Sequence, residues 1–211
     1  INLIHVSGPV AGDVIFKHKD FAGIHFTGST DVFRDIWKTI GNNLPLYRSY
    51  PRVVGETGGK DFVVAHSSAD PKVVATALTR GAFEYQGQKC SAASRAYIPD
   101  TIWTQVKKEL LADLAEMKMG DPRDFKNFTG AVIDEKSFDK IAGYIDALKK
   151  DKKNIQIIAG GKYDKSKGYF IEPTVAVSKD PKSVTMCEEI FGPVLTIHVY
   201  SADRWMDTLK L

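Results

Sequence analysis

The chain has 211 residues, of which 43% are hydrophobic and 26% charged, an ordinary globular composition with length enough for one large core or two modest ones. A formal net charge of +3 is too small and dispersed for a nucleic-acid surface, and no apolar run approaches membrane-spanning length. Two cysteines, Cys90 and Cys187, form no metal or redox motif and suggest a reducing compartment; five histidines are scattered without ligand spacing, so no metal site is expected.

In chain order, residues 1–6 (INLIHV) are expected as a strand, 7–12 as a turn and 14–18 as part of a short helix. Residues 23–26 form the next strand. Gly28, Ser29 and Thr30 then turn into a helix with Val32, Phe33, Ile36, Trp37 and Ile40 on one face, ended by Gly41 and Asn42. Strand, glycine turn and helix in that order present free N–H groups and a positive helix end to an anion such as a pyrophosphate. The helix-end effect contributes only about 0.3–1 kcal/mol, and the run is not GxGxxG, so the stretch alone does not specify a nucleotide.

Asp70 is expected to cap, and Pro71 to open, a helix with Val74, Ala77, Leu78, Gly81, Ala82 and Tyr85 on one face, stopped by Gly87. A strand follows at 93–98. Asp100 is expected to cap a helix with a core stripe of Ile102, Val106, Leu110, Leu114 and Met117, broken by residues 120–124. Asp134 caps another carrying Phe138, Ile141, Ile145 and Leu148, and the lysines at 149–153 fit its solvated end. Residues 155–159 read as a strand closed by Gly160 and Gly161, 169–175 as extended around Pro173, and 194–200 as a strand. The alternation argues for an α/β architecture with largely parallel sheets. The chain opens in a strand-like run without methionine and closes in an unfinished amphipathic pattern at 205–211, so a piece of a longer protein is expected.

Two stretches carry chemistry. Cys90 sits in 81–99 (GAFEYQGQKCSAASRAYIP), on a short loop between helix and strand, where rigid neighbours hold a residue whose own backbone stays accessible. A lone cysteine is equally a small buried hydrophobe. Upstream, Glu56 in 55–60 (GETGGK) ends a buried apolar strand, either as a paired structural carboxylate or as a general base. Glu189 and Phe191, in EEIFGP, read as a charged loop with an aromatic core plug.

Four segments, 26–30 (FTGST), 56–60 (ETGGK), 87–90 (GQKC) and 189–194 (EIFGPV), resemble in order the signature segments of the aldehyde dehydrogenase superfamily. The runs at 83–92, 168–175 and 187–195 are most similar to its branch of Δ1-pyrroline-5-carboxylate (glutamate γ-semialdehyde) dehydrogenases. The resemblance covers most of the chain. It implies an incomplete Rossmann-type NAD-binding domain at 1–59 and an α/β catalytic domain at 60–211, incomplete at its C-terminal end.

The resemblance also implies NAD-dependent oxidation of L-glutamate γ-semialdehyde to L-glutamate, in proline catabolism. Cys90 forms a thiohemiacetal and then a thioester. The N–H of Cys90 helps hold the oxyanion, with an asparagine from a segment outside this sequence. Glu56 activates the hydrolytic water. Gly28 and Ser29 lie against the cofactor pyrophosphate, Glu189 bonds the nicotinamide ribose, Phe191 sits beside the nicotinamide ring and Ser91 lies near the substrate carboxylate. Lys89 is a tempting activator of Cys90, yet adjacent side chains diverge, and a solvent-exposed Lys89 fits as well. Thr57 departs from the family's usual leucine as a packing variation. The partners implied are a small-molecule aldehyde and further copies of the protein, as a homodimer or higher oligomer, with no nucleic acid or membrane. The location implied is the mitochondrial matrix in a eukaryote and the cytoplasm otherwise. The rival readings are another aldehyde dehydrogenase specificity, a cysteine hydrolase or acyltransferase, or a noncatalytic relative, and the isolated 211-residue piece is expected to be inactive.

Overall fold

The computed structural model describes residues 1–211. They form two compact units, Ile1–Gly58 and Gly59–Leu211.

The first unit is a strand–helix–strand motif with a helical lead-in: α1 (Gly8–Ile15), β1 (Gly23–Gly28), α2 (Thr30–Asn42) and β2 (Arg52–Thr57). The strands are parallel, with Gly23 opposite Arg52 and Gly28 opposite Thr57. Ser29 caps α2, its Oγ accepting from the Val32 N–H at 3.3 Å. The helix meets the sheet through Phe33, while Val32 and Trp37 of the same predicted face stay exposed. Phe33 stacks on Phe26 with centroids 5.9 Å apart and meets Trp37 edge-on at 5.5 Å. This approach needs Gly55, because a Cβ there would lie 2.2 Å from the Phe33 ring.

Three expectations change here. Residues 1–6 form no strand: β1 and β2 pair only with each other, and Ile1, Leu3 and Ile4 stay exposed. Strand propensity without a partner leaves backbone N–H and C=O groups unpaired, so the run remains irregular. Residues 8–12 are helix rather than turn, with Ser7 at the cap position, since Pro9 stands in the first turn of α1, where its missing N–H costs nothing. Glu56 is exposed on a half-open strand, because within this unit β2 has β1 along one edge and α2 over one face.

The second unit contains β3 (Phe62–Val64), α3 (Pro71–Phe83), β4 (Arg95–Pro99), α4 (Asp100–Glu116), α5 (Glu135–Lys150) and β5 (Ile155–Ala159). After the small hairpin β6 (Tyr163–Asp164) and β7 (Phe170–Ile171) come β8 (Thr174–Ser178), α6 (Val184–Cys187), β9 (Val194–Tyr200) and the single turn α7 (Trp205–Thr208). The main sheet has the order β3-β4-β9-β8-β5. Only β5 is antiparallel to its neighbour.

Both faces of this sheet are covered, which is why its strands read as continuous apolar runs. On one face Leu78, Phe83, Val106 and Leu110 of α3 and α4 pack on Ala96, Ile98, Val175, Leu195 and Ile197. On the other, Phe138, Ile141, Ile145 and Leu148 of α5 pack on Ala176 and Val194. The alternation of Val175 with Ala176, and of Val194 with Leu195, is the period-two pattern of strands between two layers.

The caps explain where the helices start. Asp70 accepts from the Lys72 and Val73 N–H groups at 2.8 and 3.1 Å, and Asp134 from Ser137 N–H at 2.7 Å. Asp100 differs from expectation. Pro99 holds the cap position, while the Asp100 carboxylate accepts from Ala202 N–H at 3.1 Å, tying α4 to the end of β9. The buried face of α3 also shifts to Val74, Ala75, Leu78, Thr79, Ala82 and Phe83, leaving Ala77 and Tyr85 exposed. The reason is that the helix ends at Phe83, before Gly87, so Tyr85 is not on it.

Leu110 is fully buried between α4 and the sheet. Leu110→Ala is expected to destabilise this unit by about 2–5 kcal/mol, read as a lower urea midpoint at unchanged slope. A midpoint equal to wild type would contradict the packing described.

Candidate active site

Cys90 is mounted by an unusual exit from α3. After Phe83 the chain leaves helical geometry at Glu84, and Tyr85, Gln86 and Gly87 follow with φ of 54°, 56° and 65°. A non-glycine residue in the left-handed region costs on the order of 1–2 kcal/mol, so this reversal is imposed by its surroundings. Gly87 fits because a Cβ there would lie 2.4 Å from the Gly192 carbonyl oxygen and 2.8 Å from that of Ala82. The loop then closes on itself. Ala92 N–H donates to Lys89 O at 3.1 Å and Ala93 N–H to Gly81 O at 2.9 Å. Cys90 is exposed at the tip, Ser91 beside it, and the Cys90 N–H makes no hydrogen bond within the chain.

Lys89 does not reach toward the thiol. Its ammonium pairs with the Glu84 carboxylate at 2.9 Å, and Arg80 holds the other Glu84 oxygen. The Lys89 hydrogen bond, followed by the Arg80 charge, keeps the Glu84 carboxyl below the usual carboxylate range.

Glu189 and Phe191 lie on the turn between α6 and β9. Ile190, between them, is buried in the core with Ile141 and Val194, so it is the plug that was expected of Phe191. Phe191 instead takes φ of 59° and stays 40% exposed, its ring turned away from the core. One Glu189 oxygen accepts from Gly59 N–H at 3.1 Å, and its carbonyl accepts from Lys140 Nζ at 3.0 Å. The neighbouring Glu188 accepts from the Tyr144 hydroxyl at 2.6 Å; burial, reinforced by that bond, pushes the Tyr144 phenol up to about 12. The contact of Gly87 with Gly192 therefore joins the loop of Cys90 and Ser91 to the turn of Glu189 and Phe191.

Gly28, Ser29 and Glu56 belong to the first unit. Thr27 is opposite Glu56 and Gly28 opposite Thr57, so all three lie at the C-terminal ends of the parallel pair. Open α/β motifs bind ligands at that edge. The Ser29 hydroxyl is used as the cap of α2, which leaves backbone N–H groups of the first turn as donors. No group of three or more His, Cys, Asp or Glu side chains is arranged to hold a metal ion, and no helix is long and apolar enough to cross a membrane.

Sequence reasoning assigned no role to Lys60 or Arg95. The Arg95 guanidinium donates through Nε to Lys60 O at 3.2 Å and through Nη1 to Met186 O at 3.1 Å, stitching the entry of β3 to α6. Lys60 Nζ is buried without a hydrogen-bond partner. Burial, and next the Arg95 charge, pull its ammonium down to about 8, with Cys187, Glu189 and Glu188 acting in the opposite direction. The lysine of GETGGK was the available signal; nothing around Arg95 marks it.

In the unfolded chain Lys60 keeps its proton to about 10.5, whereas in the fold it releases it near 8. Burying the charged form therefore costs stability below pH 8, and the cost is relieved as pH rises from 8 toward 10.5. Lys60→Met is expected to be more stable than wild type at neutral pH, with the gain shrinking across that window in denaturant titrations. A difference independent of pH would show that Lys60 is not buried charged.

The aldehyde dehydrogenase family profile matches residues 1–206. The mitochondrial Δ1-pyrroline-5-carboxylate dehydrogenase of Dictyostelium discoideum is 50% identical over 213 residues, and the human one 45% over 212, in each case across 100% of this chain and 38% of the relative. The chain thus spans 38% of the length of these curated relatives. A crystal structure of the Δ1-pyrroline-5-carboxylate dehydrogenase from Mycobacterium tuberculosis bound with NAD superposes with a TM-score of 0.90 at 49% identity, covering 97% of this chain and 37% of that one. With a matching sequence profile along nearly its whole length and a matching α/β fold, the chain belongs to the aldehyde dehydrogenase family.

Proposed function

We propose that the protein carrying this chain oxidises L-glutamate γ-semialdehyde, formed from Δ1-pyrroline-5-carboxylate, to L-glutamate with NAD, as a step of proline catabolism. The observation that supports this reading is the close approach of Gly87, three residues before the exposed Cys90, to Gly192, the residue after Phe191 on the turn before β9. The similarity to dehydrogenases of this substrate, one of them NAD-bound, favours it over a cysteine hydrolase, which needs no such turn.

The residues fit the cofactor. Glu189 has one oxygen held by Gly59 N–H, so the other is free to accept from a ribose hydroxyl. Phe191 presents a ring outside the core, and Gly28 and Ser29 offer a phosphate-compatible helix start. NAD, when bound, supplies the hydride acceptor.

Cys90 Sγ adds to the aldehyde carbon as its proton departs, and the carbonyl becomes an oxyanion beside the free Cys90 N–H. Oxidation of that carbon leaves a thioester on Cys90. Glu56 takes a proton from water, the hydroxyl replaces sulfur, and glutamate leaves as the thiol is restored; such general-base help is worth about 10²–10⁴-fold. Ser91, next to the nucleophile, meets the substrate carboxylate. The protein is a homodimer or higher oligomer, located in the mitochondrial matrix if its source is a eukaryote and in the cytoplasm otherwise.

Cys90→Ser is expected to abolish NAD reduction with the semialdehyde. Glu56→Gln is expected to keep a first-turnover burst of reduced nicotinamide absorbance in stopped flow, with steady-state turnover lowered about 10²–10⁴-fold. Loss of the burst together with turnover would remove Glu56 from the hydrolytic step. Full activity of Cys90→Ser would overturn the reading as a whole.

A further inference from the structure

The left-handed run of Tyr85, Gln86 and Gly87 needs support, and the residue that follows it provides the longest tether. Gln88 donates its own N–H to Tyr85 O at 3.1 Å, closing the reversal, while its side-chain Oε1 accepts from the Ile133 N–H at 2.9 Å, 45 residues away. Ile133 belongs to the lead-in of α5, and α5 also supports the turn on the other side. Lys140 holds Glu189 O at 3.0 Å, and a Cβ at Gly192 would lie 2.5 Å from Ile141. The start of α5 is thus the common base of both loops, and Gln88 is the arm by which the cysteine loop grips it.

We infer that Gln88 is a positioning residue for Cys90, acting through the hydrogen bond its side-chain Oε1 accepts from the Ile133 backbone N–H. It does not touch substrate in this role. Without the bond, the reversed segment loses its hold on α5, and the thiol two residues on loses its fixed distance from the Glu189–Phe191 turn. The inference rests on the reading of Cys90 as the nucleophile. It assigns a purpose to the glutamine of GQKC that neither composition nor burial supplies, since the side chain sits half-buried at a loop edge.

The test uses the protein that carries this chain, with Gln88→Met, which keeps the length but offers no acceptor, and Gln88→Glu, which keeps the acceptor; both lose the long Nε2 contacts to Tyr85 O and Gln86 Oε1, so the difference between them reads the Ile133 bond. Gln88→Met should speed hydrogen exchange at the Ile133 amide about tenfold, as expected for the loss of one hydrogen bond. It should lower kcat by up to about a hundredfold, the scale of a misplacement near 1 Å, with KM for NAD held within about twofold. Alkylation of Cys90 by iodoacetamide, followed by peptide mass spectrometry, should persist, because the thiol stays exposed. Gln88→Glu should restore Ile133 protection and most of kcat. If Gln88→Met fails to fold, Gln88→Asn replaces it; its amide falls one carbon short of Ile133, and it must show the same split.

Wild-type kcat in Gln88→Met, or reduced kcat with unchanged Ile133 exchange, would overturn the inference. Should Cys90→Ser remain active, the underlying reading fails instead. An inactive Cys90→Ser with a fully active Gln88→Met removes the positioning role alone.

Discussion

A helix that ends by running backwards through three left-handed residues has to be held in that state by something outside itself. In this chain the holder is another backbone. The Gly192 carbonyl occupies the space a side chain at position 87 would need, and Gly192 is pressed in turn on Ile141 of α5. Two loops far apart in sequence are therefore not free to move separately, because each fills the room the other would relax into. The strain at Tyr85, Gln86 and Phe191 is confined to these loops, which is where strained backbone tends to mark function.

The sheet behind them makes this possible. With helices over both faces, β4 and β9 are fixed side by side in the centre, and each is continuous with one of the two loops. The Cys90 loop runs into β4, and the Glu189–Phe191 turn runs into β9. A buried pair and a half-buried one finish the alignment: the Thr196 hydroxyl donates to that of Thr185 at 2.8 Å, and Arg95, the first residue of β4, donates to Met186 O. Both contacts anchor α6 to the strands it stands over. Glu189 thus inherits its place from groups that are themselves buried and bonded, at the cost of leaving Lys60 nearby as a desolvated cation.

Much of the scaffold was legible in the residues, and for physical reasons. Asp70 and Asp134 precede apolar helical stripes and bond the first free N–H groups, so cap and stripe agree. Residues of β9 are mostly apolar because both faces of the sheet are covered, and Gly160 and Gly161 close β5 with positive φ. The loop mount of Cys90 between helix and strand was legible, whereas its proposed role came from family resemblance. What could not be read was imposed from a distance. Nothing in FEYQGQ announces left-handed geometry at a tyrosine and a glutamine; residues 1–6 have strand composition but no partner; Asp100 looks like a cap until Ala202 claims its carboxylate. The roles at Gly28, Ser29 and Ser91 came from family resemblance, since a capped helix start and a loop serine look the same with or without a ligand.

Exposure alone does not make either cysteine a nucleophile. Both thiols are exposed. At Cys187 the N–H donates to Ser183 O at 3.2 Å, closing the turn of α6, and the thiol itself leans on Lys182 O at 3.5 Å. An aldehyde adding there would develop an oxyanion with no donor to receive it from the cysteine's own backbone, and with the Glu188 carboxylate next in the chain. At Cys90 the N–H is free, because the chain has already turned out of α3 and has not yet entered β4. Negative charge that appears during addition is stabilised only by dipoles already aimed at its position. The reversal after Phe83 costs folding energy, and it leaves the Cys90 N–H unpaired, as the proposed addition requires.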